Sequence, residues 1–189
     1  MTVVSSPADV TRPFTVTDLE GMPDDGRRYE LIDGELLVSP APGWAHQEVV
    51  TALTVLLRAF CPRNQRVLPA PFAVRPDAFN ELQPDVLVAR YDDLTERCLP
   101  TAPLLAVEVI SPTSRLRDAS LKKAAYARLG AASFWLVDPD RGAPSLQAFT
   151  LAGAEYAEPV TAVGEAAYEA TWPFAVRVVP AELVAGLLP

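Results

Sequence analysis

Two apolar runs in the middle of the chain each carry one carboxylate. Leu104-Leu105-Ala106-Val107-Glu108-Val109-Ile110 is interrupted only by Glu108, and Asp85 opens Asp85-Val86-Leu87-Val88-Ala89 behind Gln83-Pro84. Short Val-rich runs closed by Pro or polar residues read as buried strands. Upstream, Arg28 to Ile32 and Glu35 to Val38 flank Asp33-Gly34, a strong hairpin signal. From Trp44 to Phe60 the apolar positions Val49, Val50, Leu53, Leu56, Leu57 and Phe60 repeat at helical spacing, and Pro62 ends that helix. One turn back along the same stripe stands His46.

The remaining elements follow from punctuation. Thr15 to Leu19 opens a short helix with Thr15 or Thr17 as N-cap, ended by Met22-Pro23. Arg66 to Arg75 is a strand or a strand pair broken at Pro69 and Pro71. Ser111-Pro112-Thr113-Ser114 breaks the chain before a helix from Arg117 to Leu129 that stops at Gly130. Ser133 to Val137 is a buried strand, Ser145 to Thr150 and parts of Glu155 to Val179 are further strands, and Pro180 to Leu188 is a short terminal helix. No repeat or composition break divides the chain. Residues 1–14 read as a flexible N-terminus and 15–189 as one domain.

A carboxylate inside a buried strand is costly unless a cation or donor meets it. Two of them on strands that can lie side by side suggest a shared partner, and a divalent ion with oxygen ligands, Mg²⁺ or Mn²⁺, is the economical candidate. The formal net charge of −8 argues against a general nucleic-acid coat or an anionic-membrane binder. It leaves a metal-dependent nuclease open, since a bound ion reverses the local field. No apolar stretch approaches the length of a membrane span, and Met1 to Phe14 lacks the order of a secretory leader. A cytoplasmic protein with Cys61 and Cys98 as free thiols is therefore expected.

Lysine is scarce. Among 16 basic residues only Lys122 and Lys123 are lysines. At roughly 100° per residue, Leu121, Ala125 and Leu129 share a sector about 80° wide. Asp118 and Lys122 project into it, while Lys123 points about 100° away, towards solvent. Lys122 then either pairs with Asp118 along the helix or reaches over the sheet to Asp85 and Glu108, and the scarcity of lysine favours the second. His46, the single histidine, reads by itself as a hydrogen-bonded residue near a helix start. Glu30 alternates with Tyr29 and Leu31, so pattern alone puts it on the solvated face of the hairpin, and Glu35 is weaker still. No Gly-rich phosphate loop, nucleophile elbow, catalytic triad or zinc-finger spacing is present.

Taken in order, these segments resemble a known family. Tyr29-Glu30-Leu31-Ile32-Asp33-Gly34-Glu35-Leu36, Ser39-Pro40-Ala41-Pro42 and His46-Gln47 are similar to the opening of the Uma-type (DUF820-like) restriction-endonuclease-like family. So are Gln83-Pro84-Asp85-Val86, Val107-Glu108-Val109-Ile110-Ser111-Pro112-Thr113-Ser114, Asp118 through Lys122 to Tyr126, Gly130, and Phe134-Trp135-Leu136-Val137-Asp138-Pro139. The resemblance runs from Tyr29 to Pro139. It implies the PD-(D/E)XK nuclease superfamily and its α/β (α+β) class: a small mixed β-sheet flanked by helices, here with an N-terminal β-hairpin.

The resemblance implies metal-assisted hydrolysis of DNA phosphodiesters. Asp85 and Glu108 would hold Mg²⁺ or Mn²⁺, Glu30 would help hold a metal or its water, Lys122 would orient water or neutralise charge at phosphorus, and His46 would line the cleft. One departure from the parent pattern is plain: Ile110 stands two places after the second acid, where a lysine is usual, so Lys122 must supply the ammonium from the following helix. Duplex DNA is the expected substrate and a homodimer the expected assembly. Asp85→Asn, Glu108→Gln and Lys122→Ala are expected to abolish cleavage without unfolding the chain, and Lys123→Ala to do little. The alternatives are a non-catalytic dimeric interaction or regulatory protein on the same fold, and hydrolysis of some other phosphate ester.

Overall fold

The computed structural model describes residues 2–3, 12–110 and 116–187, and side chains for 12–110 and 119–187. In chain order the elements are β1 (Thr2–Val3), α1 (Val16–Leu19), β2 (Arg28–Ile32), β3 (Glu35–Ser39), α2 (Trp44–Phe60), β4 (Gln65–Pro69), β5 (Ala73–Asp77), β6 (Asn80–Leu82), β7 (Val86–Arg90) and β8 (Cys98–Leu99). They continue with β9 (Leu105–Val109), α3 (Leu116–Leu129), β10 (Ser133–Asp138), β11 (Ser145–Ala152), β12 (Glu155–Tyr156), β13 (Val160–Val163), β14 (Tyr168–Ala170), β15 (Val176–Val178) and α4 (Pro180–Leu183). The mixed α+β class is as expected. Among the described residues no helix is long and apolar enough to cross a membrane.

The central sheet runs β12-β11-β10-β9-β7-β4, with β13 also on β11. It is mixed: β9 and β10 are parallel, β7 and β9 antiparallel. The two acid-bearing runs are therefore neighbours, with Val86 opposite Val107 and Val88 opposite Leu105. Period-2 alternation sends their side chains to two different cores. Val107, Val109, Trp135 and Val137 pack with Val86, Val88 and the α2 residues Val49, Val50, Leu53 and Leu57. Ala106 and Phe134 face the other way, into Tyr126 and Ala125 of α3 and Ile32 and Leu37 of the hairpin. Glu108 lies between Val107 and Val109, so it projects to this second side, towards α3 and β2.

The hairpin belongs to a second sheet, β1-β3-β2-β6-β5-β8. Its turn takes Asp33 and Gly34 to φ of 51° and 78°, the left-handed pair that a two-residue hairpin needs. A Cβ at Gly34 would also run into the Pro13 side chain. Backbone bonds from Phe14 N to Gly34 O and from Gly34 N to Phe79 O, both 2.9 Å, fasten the turn on two sides. At the other end of the site-bearing helix, Gly130 (φ 84°) closes α3, and Ala131 N donates to Tyr126 O at 3.0 Å.

Several boundaries and faces differ from the sequence reading. Thr15 is the residue that precedes α1, and its N–H and hydroxyl both donate to Asp18 at 2.8 Å. Phe60 leaves the α2 stripe and is exposed, although Leu57 in the same turn is buried. On α3 the inward face is Lys122, Ala125 and Tyr126, with Leu129 at its margin. Leu121 is exposed, a rotation of the expected sector by about one residue. Ser111 to Ser114 lie outside the described residues, as do residues 4–11 and the Asp118 side chain, so an Asp118–Lys122 pair has no description.

Candidate active site

The site forms where the ends of β7 and β9 meet α2 on one side and the hairpin and α3 on the other. Asp85 stands one residue before β7, at the point where the ladder to β9 has ended at Val86–Val107. The Val109 N–H consequently has no partner on β7, and the Asp85 carboxylate takes its place, with Oδ2 accepting at 2.8 Å. His46, buried on the first turns of α2, donates from Nε2 to the same oxygen at 3.1 Å, since an ionised carboxylate only accepts. Arg28 reaches Oδ1 at 3.1 Å and also donates to Gln83 O at 3.2 Å. Burial alone would raise the Asp85 pKa. The hydrogen bond from His46 and the charges of His46, Arg28 and Lys122 overcome it and hold the group below the usual carboxylate range.

The second half is centred on Lys122. Its Nζ lies 2.9 Å from Glu30 Oε1 and 3.1 and 3.2 Å from Glu108 Oε1 and Oε2. Glu30 Oε1 also accepts the Gln83 N–H at 2.8 Å. Lys122, Glu30, Asp85 and Glu108 are all buried. Three carboxylates here face two permanent cations, Lys122 and Arg28, with the His46 ring against Asp85. Burial, and repulsion from Asp85 and Glu30, push the Glu108 carboxyl well above its ordinary range even against the pull of Lys122. The same surplus of negative charge outweighs the burial of Lys122, whose pKa is raised, so it stays an ammonium.

The structure thus brings Glu30, Glu108 and Lys122 into direct contact and joins Asp85 to His46. Position 109 stitches the two halves, because its N–H binds Asp85 while its neighbour in sequence is Glu108. Glu30 corrects the alternation argument: it is fully buried, as is Leu31, because the sheet of the hairpin is covered on both faces. Glu35 is exposed and takes no part. Lys123 does not simply face solvent. It is half-buried, with Nζ 4.4 Å from the Phe149 ring centroid.

Arg28 is the member that the sequence reading missed. Its signal was there: it precedes Glu30 by two residues on a strand, which puts both on one face. Arg28→Ala should cost about 1.5–3 kcal/mol, the worth of a hydrogen bond to a charged group. Urea denaturation of the two proteins measures it, and a wild-type midpoint would contradict the contact.

The donor set suits a hard divalent ion by chemistry, with three carboxylates in net excess of charge and one imidazole. Two of its atoms, Glu30 Oε2 and His46 Nδ1, are buried and partnerless. It is not a ready cage: among the described residues no three His, Cys, Asp or Glu side chains are grouped to hold an ion.

Over residues 16–179 the chain matches the Uma2 family, whose description reads "Putative restriction endonuclease". A solved structure from Anabaena variabilis ATCC 29413, described as "a putative nuclease belonging to DUF820", aligns with a TM-score of 0.75 at 18% identity, over 93% of this chain and 100% of that one. At that identity the likeness is one of fold. No curated protein matches the chain. The family match takes in most of the length and every residue of the buried cluster, and on that ground the chain belongs to the Uma2 family.

Proposed function

We propose that the protein is a metal-dependent endonuclease that hydrolyses phosphodiester bonds in duplex DNA. The observation that supports it most is the junction of Lys122 with Glu108 and Glu30, beside a fully ligated Asp85, in a family whose description reads "Putative restriction endonuclease". Asp85 and Glu108 would hold Mg²⁺ or Mn²⁺, with Glu30 joining them or their water. Such an ion, when bound, polarises the phosphate and makes water a nucleophile near neutral pH.

The chain's own residues do the rest. Arg28 and the Val109 N–H fix the Asp85 carboxylate in one orientation. Lys122 supplies a permanent positive charge for the phosphate oxygens as negative charge builds on them. His46 Nδ1 is the ring atom left over for a phosphate or a water, since Nε2 is committed to Asp85. Cutting both strands takes two such sites, and a two-fold homodimer supplies them.

Supercoiled plasmid and duplex oligonucleotides incubated with Mn²⁺ or Mg²⁺ should be nicked and then linearised, and EDTA should stop both. One feature favours a second reading, a non-catalytic interaction protein on this fold: both oxygens of Asp85 and both of Glu108 already have protein donors. Absence of cleavage with either ion, together with no heat on titrating Mn²⁺, would put that reading in place of the first.

A further inference from the structure

The corner where α2 turns into β4 carries the opposite sign to the chain as a whole. The sequence has 24 acids, yet none stands between Val49 and Pro76, a stretch that holds Arg58, Arg63, Arg66 and Arg75. Arg75 is answered by Glu81 and Glu20. Among the described residues Arg58, Arg63 and Arg66 meet no carboxylate at ion-pair distance. Arg58 is on the last turn of α2 and Arg63 in the loop that follows, both exposed. Arg66, on β4, is set by its surroundings. Its Nη1 donates to Arg63 O at 2.8 Å and to Gln65 O at 2.7 Å, and its guanidinium carbon lies 4.4 Å from the centre of the Tyr91 ring. The Tyr91 N–H in turn donates to Asn64 O at 2.8 Å, so the end of β7 closes the corner. Of the two acids after Tyr91, Asp93 is drawn to Arg90 at 3.9 Å, which leaves Asp92 to set against three arginines.

The strand β4 leads from this corner to the acid cluster. It is the outer strand of the central sheet, Pro69 lies opposite Val86, and the Ala70 N–H donates to Asp85 O at 3.1 Å. Ala70 stands four residues beyond Arg66, about 13 Å of strand, the length of about four base-pair steps. We propose that Arg58, Arg63 and Arg66 bind the phosphate backbone of duplex DNA a few base pairs from the bond that is cut. The inference rests on the nuclease reading above for its substrate. A chain of net charge −8 repels a duplex at long range, so the duplex docks only where fixed positive charge faces it. Guanidinium groups match phosphate with paired donors. The Tyr91 ring and two carbonyls already hold the Arg66 plane, which lowers the ordering cost of such a contact.

Fluorescence anisotropy of a labelled duplex, without metal so that nothing is cut, tests it across a salt series. Wild type is compared with Arg58→Ala/Arg63→Ala and with Arg128→Ala/Arg177→Ala, which removes the same charge from exposed ion pairs elsewhere. Arg58→Ala/Arg63→Ala should weaken binding at least about tenfold at about 0.1 M salt. It should also cut the slope of log affinity against log salt by about 2, roughly one for each phosphate contact. Its melting temperature should match wild type, because no ion pair among the described residues is lost, and Arg58→Lys/Arg63→Lys should keep the slope. An equal loss in the control pair overturns the inference, since bulk charge would then be the cause, and so does a wild type that binds no duplex. Binding lost instead to phosphatidylserine vesicles, with duplex binding unchanged, overturns it in favour of a membrane surface beside the exposed rings of Phe60 and Tyr91. Cleavage is scored separately on plasmid with Mn²⁺. A wild type that nicks DNA, beside an Arg58→Ala/Arg63→Ala protein that binds equally well, removes this inference alone. A wild type that binds through these arginines without nicking removes the nuclease reading and keeps the surface.

Discussion

Replacing Lys122 by alanine should lower the stability of the metal-free protein by about 3–5 kcal/mol and abolish cleavage. The ammonium lies within 3.1 Å of Glu30 and Glu108, and all three groups are shielded from water. Removing it leaves two carboxylates facing each other in a low-dielectric space with Asp85 close behind. Neither regains the lost contacts. Urea denaturation is the measurement, with Lys123→Ala beside it. Lys123 rests over Phe149, an interaction worth about 0.5–2 kcal/mol at a half-buried position. Equal effects of the two substitutions would mean that the inward lysine is not held as described.

Glu108→Gln should behave in the opposite way: cleavage falls by at least about 10²-fold, while the metal-free protein is as stable as wild type or more so. Glutamine has the same shape and keeps a carbonyl oxygen for Lys122. It also removes one of three mutually repelling carboxylates, the one whose charged form burial penalises. On the proposed reading, what it would lose is an anionic ligand for the ion. Parallel melting curves and plasmid-nicking rates decide the matter. Retained cleavage would take Glu108 out of the chemistry, and a large loss of stability would mean that its charge is structural. Adding Glu108→Gln to Lys122→Ala should restore part of the stability that the lysine variant lost, since the two changes share one contact.

Some of this was legible in the sequence for a simple reason. A carboxylate within an apolar run is conspicuous, so Asp85 and Glu108 announced themselves, and a rare lysine on an apolar helix sector pointed inward. Helix phase located Lys122 but was less sure about its neighbours: Leu121 is exposed and Lys123 half-buried, because a rotation of one residue's worth exchanges them. Strand alternation failed at Glu30. It separates inside from outside only when one face of a strand meets water, and β2 is covered on both. Arg28 was passed over because it has an ordinary appearance, an arginine at a strand start. Only three-dimensional proximity to Asp85 distinguishes it.

The stitch at position 109 has a consequence for descent. Because one polar seam joins elements from both apolar cores, a lineage that abandons catalysis is not free to shed these residues singly. A lysine that drifts away strands two acids, and an arginine that drifts away leaves one oxygen of a third bare. Retired members of such a lineage should discard acid and base in matched pairs, leaving paired apolar replacements as the fossil of a former site.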